Sequence, residues 1–340
     1  MMERANTDAA ELVEIWRGPF HEGTHRGHVA IWHHDTGLVA SWGDAEAVIL
    51  PRSACKMIQA LPLIESGAAR EAGLSERQLA LACASHQGAA VHRGMVEDWL
   101  GDLGLGEGAL RCGCQWPNDI EERDRLIRAH DGPNQMHNNC SGKHSGFLTV
   151  AKHLNAGPEY LEIDHPVQVA VRTAFEEVTG EDSPGYGIDG CSAPNFATRL
   201  KAFAKALAAY AAAGAGGGVR DEAMVTLRTA MAAHPELVAG EGRACTRLMR
   251  AMGGRATIKT GAEAVFAAII PERRMGVAVK IEDGGTRASE AVITQILIAM
   301  GVLDPEHPEA VAFAHGPIRN WRGIETGFIK VSDDLARWRP

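Results

Sequence analysis

The sequence predicts an α/β protein in which an antiparallel sheet is built from both termini and flanked by helices, with a helical subdomain inserted. Three observations lead there. Strand-like runs lie near the start, at residues 12–16, 28–32 and 38–42, and again near the end, at 256–260, 264–271 and 275–282. Runs with helical periodicity fill the stretch between them. Single strands do not alternate with helices, as they would in a doubly wound parallel sheet.

Taken in order, the first three runs form an antiparallel meander, with the turn residues His34-Asp35-Thr36-Gly37 between the last two. Helices are expected over 53–66, 76–84 and 89–103, the last ending in the tail 101–108. Residues 111–118 and 131–145 are rich in Cys, Asn, Gly, Pro and His, the composition of active-site loops. Gly142-Lys143-His144 opens a helix to about residue 154, and others follow over 165–178 and 193–213. The last of these is alanine-rich and ends in Gly214-Ala215-Gly216-Gly217-Gly218, a flexible surface turn. A C-terminal helix is expected over 286–300. The chain reads as one domain, 1–340, with its sheet subdomain from about 12–42 and 256–282 and its helical subdomain from about 75–250.

With 340 residues the chain can bury a sizeable core. A net charge of −9 and a pI near 5.9 favour neither nucleic acid nor an anionic membrane as a partner. No run approaches the roughly 18 apolar residues of a membrane span. The opening residues lack the apolar core of an export signal, so a cytoplasmic location is expected. Seven cysteines, an odd number, suggest reduced thiols or metal ligands rather than a disulfide framework.

Chemistry enters at Ser53, in Pro51-Arg52-Ser53-Ala54-Cys55-Lys56. Residues i and i+3 share a helix face, so the Ser53 hydroxyl and the Lys56 amine can meet. A serine becomes a nucleophile when a base takes its proton, and a desolvated lysine can be that base. By itself this spacing also describes a helix cap followed by a surface lysine. Two later elements make it specific: Ser85, in Ala84-Ser85-His86-Gln87-Gly88, and Lys259-Thr260-Gly261. The order S-x-x-K, second serine, K-T-G resembles the serine β-lactamases and penicillin-binding proteins, whose fold has the architecture described above.

Two further segments are dense in functional groups: Asn138-Asn139-Cys140-Ser141-Gly142-Lys143-His144-Ser145-Gly146 and Ile188-Asp189-Gly190-Cys191-Ser192-Ala193-Pro194. The first is not a phosphate loop, because His137 stands where that motif needs its leading glycine. An isolated cysteine is usually a small buried hydrophobe. Two thiols on two glycine-containing loops suggest a metal site, with zinc the natural ion. Cys112 and Cys114 form a weaker C-x-C pair, read as buried free thiols.

The segments RSACKMIQALPLIESGAA, CASHQGAAVHRGMV, NNCSGKHSGFL, IDGCSAPNFA, KTGAEAVF and GVAVKIEDG together resemble the class 3, rhizobial-type L-asparaginases, which share the serine β-lactamase and glutaminase fold. The resemblance runs from about residue 12 to residue 321. It implies hydrolysis of L-asparagine to L-aspartate and ammonia through a serine acyl-enzyme. Ser53 with Lys56 would hold the nucleophile, and Ser85 with Lys259 the relay. It also implies one zinc per chain at Cys140, Lys143 and Cys191, close to Asp189 and supportive of substrate binding, in a homodimer. Arg52, His144 and Asp189 are the candidates to hold the two ends of the substrate. Because a lysine base must be neutral, activity should rise on the alkaline side. Alternatives are a glutaminase, whose substrate differs by one methylene worth ~1–3 kcal/mol, a β-lactamase-like hydrolase, and a non-catalytic zinc- or amino-acid-binding protein.

Overall fold

The computed structural model describes residues 8–340. In chain order its strands are β1 (Ala10–Arg17), β2 (Phe20–His33), β3 (Gly37–Trp42), β4 (Val48–Ile49), β5 (Tyr186–Ile188), β6 (Pro194–Phe196), β7 (Thr198–Arg199), β8 (Thr257–Thr260), β9 (Val265–Ile270), β10 (Met275–Ile281), β11 (Pro317–Arg319) and β12 (Glu325–Val331). The chain divides into two compact units. One holds the residues up to Ala54 with Thr198–Ala212 and Arg247–Pro340; the other holds Cys55–Ala197 and Ala213–Thr246.

The first unit is an antiparallel sheet drawn from both ends of the chain, in the order β11-β12-β1-β2-β10-β9-β8. β2 is long enough for two successive neighbours on one side, β1 along Phe20–Gly27 and β3 along Val29–His33. β10 pairs with its other side along Gly27–His33. β9 is buried at every position and β10 at all but Lys280, so both faces of the sheet centre are covered. The helices Leu200–Ala212 and Thr286–Ala299 pack there. The first lies almost on the strand: a Cβ at Gly276 would collide with the backbone of Ala204 and Ala208.

Several boundaries differ from the sequence reading, each for a local reason. The helix expected over 53–66 is a 3-10 turn, Arg52–Cys55, followed by the short helices Lys56–Gln59 and Leu61–Glu65. Pro62 cannot donate to the helical ladder and divides it. The alanine-rich helix begins at Leu200, not at 193, because the preceding residues are used as strands: β6 pairs with β5, and β7 with β4. This helix also belongs to the sheet unit, whereas the expected helical subdomain of 75–250 contained it. β11 and β12 were not anticipated. β12 buries only Phe-flanking Gly327 and Val331 among residues that read as loop.

The second unit is mainly helical, with Glu76–Ala82, Ala90–Asp102, Ile120–Arg128, Ser141–His153, Pro166–Thr179 and Val219–Ala233 as its longer helices. Ile120–Arg128 and Val219–Ala233 are additions to the expected set. Ser141–Ala151 is buried without interruption. A Cβ on Gly142 would strike the Leu81 carbonyl, so this glycine serves close packing against Glu76–Ala82. Among the described residues no helix is long and apolar enough to cross a membrane.

Glu122, only 3% exposed, is bonded by Arg125 at 2.7 Å and by His137 at 3.2 Å. Those partners, Arg125 first, hold its carboxyl at about 2. Because the folded value is depressed, the stabilisation is present above the ordinary carboxylate range and lost as pH falls through about 2. Glu122→Gln should therefore cost up to ~3 kcal/mol near neutrality. Urea denaturation of both proteins should show this gap closing as pH is lowered. A gap that does not change with pH would assign the loss to packing instead.

Candidate active site

In the sheet unit, Ser53 lies half-buried on the turn Arg52–Cys55. The turn is closed by Ala54 N–H donating to the Pro51 carbonyl at 3.1 Å. Arg52 has φ +52°, a left-handed conformation uncommon outside glycine, immediately before the serine. The K-T-G element lies against this turn. A Cβ on Gly261 would come within 2.8 Å of the Pro51 oxygen and 3.0 Å of the Ala54 nitrogen, so the approach requires glycine. Lys259, on edge strand β8, is fully buried, and its Nζ donates to the Thr260 carbonyl at 2.9 Å.

In the helical unit, Lys56 is 1% exposed. Its Nζ donates to the Ala84 carbonyl, to Ser85 Oγ at 3.0 Å and to Cys140 Sγ at 3.1 Å. The Ser85 loop is itself fixed. Ser85 N–H donates to Val238 O at 2.8 Å and His86 N–H to Asn139 O at 3.1 Å. His86 Nδ1 accepts from Gly88 N–H, which leaves Nε2–H to meet Ser141 Oγ at 2.9 Å. The loop bearing Ser85 is thereby tied to the start of the helix that follows Cys140.

Three predicted metal ligands also come together. Lys143 Nζ donates to Cys191 Sγ at 3.1 Å, with both residues buried. The turn holding Cys191 is closed by Ser192 N–H to Asp189 O and by Asp189 N–H to Ala193 O. Cys140 hydrogen-bonds Cys191. Its S–H donates to Asn139 Oδ1 at 3.0 Å. The bond from Cys140, with Lys143 and His144 nearby, holds Cys191 well below the usual thiol range despite its burial. The same bond, with burial, pushes Cys140 well above that range. Burial alone would lower Lys143, but Cys191 and Cys140 outweigh it and raise the amine, with Asp189 adding to the effect.

Among the described residues no three His, Cys, Asp or Glu side chains are gathered to hold a metal, so an ion here depends on the lysine. The donor set suits zinc. A thiolate sulfur and an amine nitrogen are donors of the kind that ion takes, so the residues present would fit it. The lysine would also release its proton.

His144 is fully buried, not open to a substrate end as expected, and its Nδ1 bonds the Tyr160 hydroxyl at 2.8 Å. Burial lowers its pKa, so the ring is neutral. Cys112 is buried and pushed to about 12, chiefly by that burial, while Cys114 is exposed. All seven cysteines are free thiols. Sequence reasoning missed Tyr160 and the Val238 carbonyl. Neither sits in a motif; the fold alone brings them to the site.

A family model described as L-asparaginase II matches residues 13–331. The chain belongs to this family and is thus an amidohydrolase of the L-asparaginase type. No curated protein matches the chain significantly. Among solved structures it is similar to a provisionally assigned beta-lactamase from Bacteroides dorei DSM 17855, with TM-score 0.43, 13% identity, and coverage of 75% of this chain and 84% of that one. It is also similar to Mglu in its native form, with TM-score 0.34, 15% identity, and coverage of 78% and 61% respectively.

Proposed function

We propose that the chain hydrolyses L-asparagine to L-aspartate and ammonia through an acyl-enzyme on Ser53. The observation that carries this reading is Gly261, whose missing side chain lets the K-T-G element meet the turn that presents Ser53. Lys56, three residues on, takes the hydroxyl proton as the oxygen attacks the carboxamide carbon. The tetrahedral intermediate collapses, the C–N bond breaks, and ammonia leaves with a proton returned through Ser85, which Lys56 already bonds at 3.0 Å. Lys259 is the second lysine of this relay, from the order of the sequence elements. Water then adds to the ester, and the serine recovers its proton as aspartate departs. The Ser53 N–H, on its turn, is the simplest donor for the oxyanion.

Arg52 suits the α-carboxylate and Asp189 the α-ammonium group, by charge. Cys140, Lys143 and Cys191 would hold one zinc per chain. When bound, that ion supplies a fixed positive charge that orients the substrate. The neutral thiol of Cys140 and the ammonium of Lys143 must each give up a proton to hold it.

The test is ammonia release from L-asparagine and L-glutamine, with hydrolysis of a chromogenic cephalosporin beside it. Asparagine should be the best substrate, with a rate that rises above neutral pH because the base must be unprotonated. Preference for glutamine would recast the chain as a glutaminase, cephalosporin turnover would recast it as a β-lactamase, and an acidic optimum would remove lysine as the base.

A further inference from the structure

We infer that Lys280 is a positioning residue: it clamps a strained turn that follows the K-T-G element and so holds Gly261 against the turn bearing Ser53. The inference rests on the reading, proposed above, that Ser53 is the nucleophile. Glu263 and Ala264 lie between β8 and β9, and both have positive φ, +55° and +54°. Val265 N–H is directed at the Ala262 carbonyl at 3.4 Å, so the two residues form the centre of a turn with the sign pattern of type I′. Glycine and asparagine ordinarily fill such positions, because a larger side chain crowds its own backbone there. Neither residue is present at 263 or 264. A turn of this kind persists only where its surroundings over-determine it.

The end of β10 supplies those surroundings. Lys280 stands opposite Val265, the first residue of β9. Its half-buried side chain donates from Nζ to the Glu263 carbonyl at 2.7 Å, and a second bond, to the Ile281 carbonyl at 2.6 Å, anchors the amine. The next carbonyl of the turn, that of Ala264, accepts from Ile281 N–H at 3.3 Å. Both strained residues are thus gripped by adjacent positions of one strand. On its other side the turn is tied to the K-T-G element, because Gly261 N–H donates to Val265 O at 2.7 Å. Gly261 is the residue that admits the Pro51 oxygen and the Ala54 nitrogen. Releasing the Glu263 carbonyl would let Glu263 and Ala264 return to negative φ, and the movement would reach Gly261 two residues away.

The experiment measures kcat on L-asparagine per folded molecule of the full chain, and hydrogen exchange of the peptide 257–268 by mass spectrometry. Lys280→Met keeps the aliphatic bulk and removes the donor. It should lower kcat by up to about 100-fold and speed exchange in that peptide. Adding Ala264→Gly, which makes positive φ free of strain, should restore both, while Ala264→Gly alone stays close to the parent. A lysine that only stabilised the fold would leave kcat per folded molecule unmoved. Should Lys280→Met not fold, Lys280→Gln, too short to reach both carbonyls, takes its place. Parental kcat and exchange in the lysine variant, or losses that Ala264→Gly does not recover, would overturn the clamp. A parent that released no ammonia from asparagine would instead remove the functional reading. The exchange pattern would then decide the clamp by itself: faster in the lysine variant and recovered in the double variant supports it, and unchanged exchange overturns it.

Discussion

Ser53→Ala is expected to abolish ammonia release from L-asparagine while the protein stays folded. The expected loss is at least ~10³-fold in kcat, because the variant lacks the oxygen that forms the acyl bond. The side chain is half-buried on a turn closed by a backbone hydrogen bond, Ala54 N–H to Pro51 O, so truncation should leave that turn intact. Melting temperature should move by no more than a few degrees. Lys56→Ala should be nearly as severe, and the double variant little worse than either single one, since the two act as a unit. If Ser53→Ala kept more than a few per cent of the parental rate, the nucleophile would lie elsewhere, with Ser85 the first residue to replace.

The second large effect is expected from a single methyl group. In Gly261→Ala, the new Cβ would press on the Pro51 oxygen and the Ala54 nitrogen, both backbone atoms that cannot rotate away. The turn bearing Ser53 must shift. A displacement of this order at a reacting atom costs up to about 100-fold in rate. The stability cost is that of modest overpacking, ~1–3 kcal/mol. Gly276→Ala is the matched control: its Cβ would also strike backbone, but that of the helix Leu200–Ala212 on the sheet. It should lose stability and keep the turnover of each folded molecule. Similar kcat losses in both variants would mean that the glycine at 261 matters only for folding.

The Ser53–Lys56 spacing and the K-T-G triplet were legible because they are short motifs whose chemistry depends on local order. The cysteine loops could be read for the same reason. The segment 53–66 was misread as one helix because periodicity registered its apolar face while Pro62 acted through a hydrogen bond that periodicity does not count. Residues 193–199 were absorbed into the alanine-rich helix although Pro194 disfavours helix at its predecessor, and their pairing partners lie far away or across a turn. The sequence offers His144 as a candidate for one end of the substrate; only the fold reveals Tyr160 beside it. The task of Gly142, admitting the Leu81 carbonyl, needs a neighbour that no local pattern names.

The pairing of β1 with β12, Val13 opposite Val331 through Arg17 opposite Gly327, has a consequence for how this chain is made. On the ribosome, β1 to β3 emerge early and must wait for β8 to β12, with most of the polypeptide synthesised in between. Contacts of such long sequence separation form late and slowly. Until then the unpaired edge of β1 is a template for other chains. Removing the last strands would thus strike the nascent protein before any chemistry begins, and a short C-terminal truncation should appear as inclusion bodies rather than as a slow enzyme.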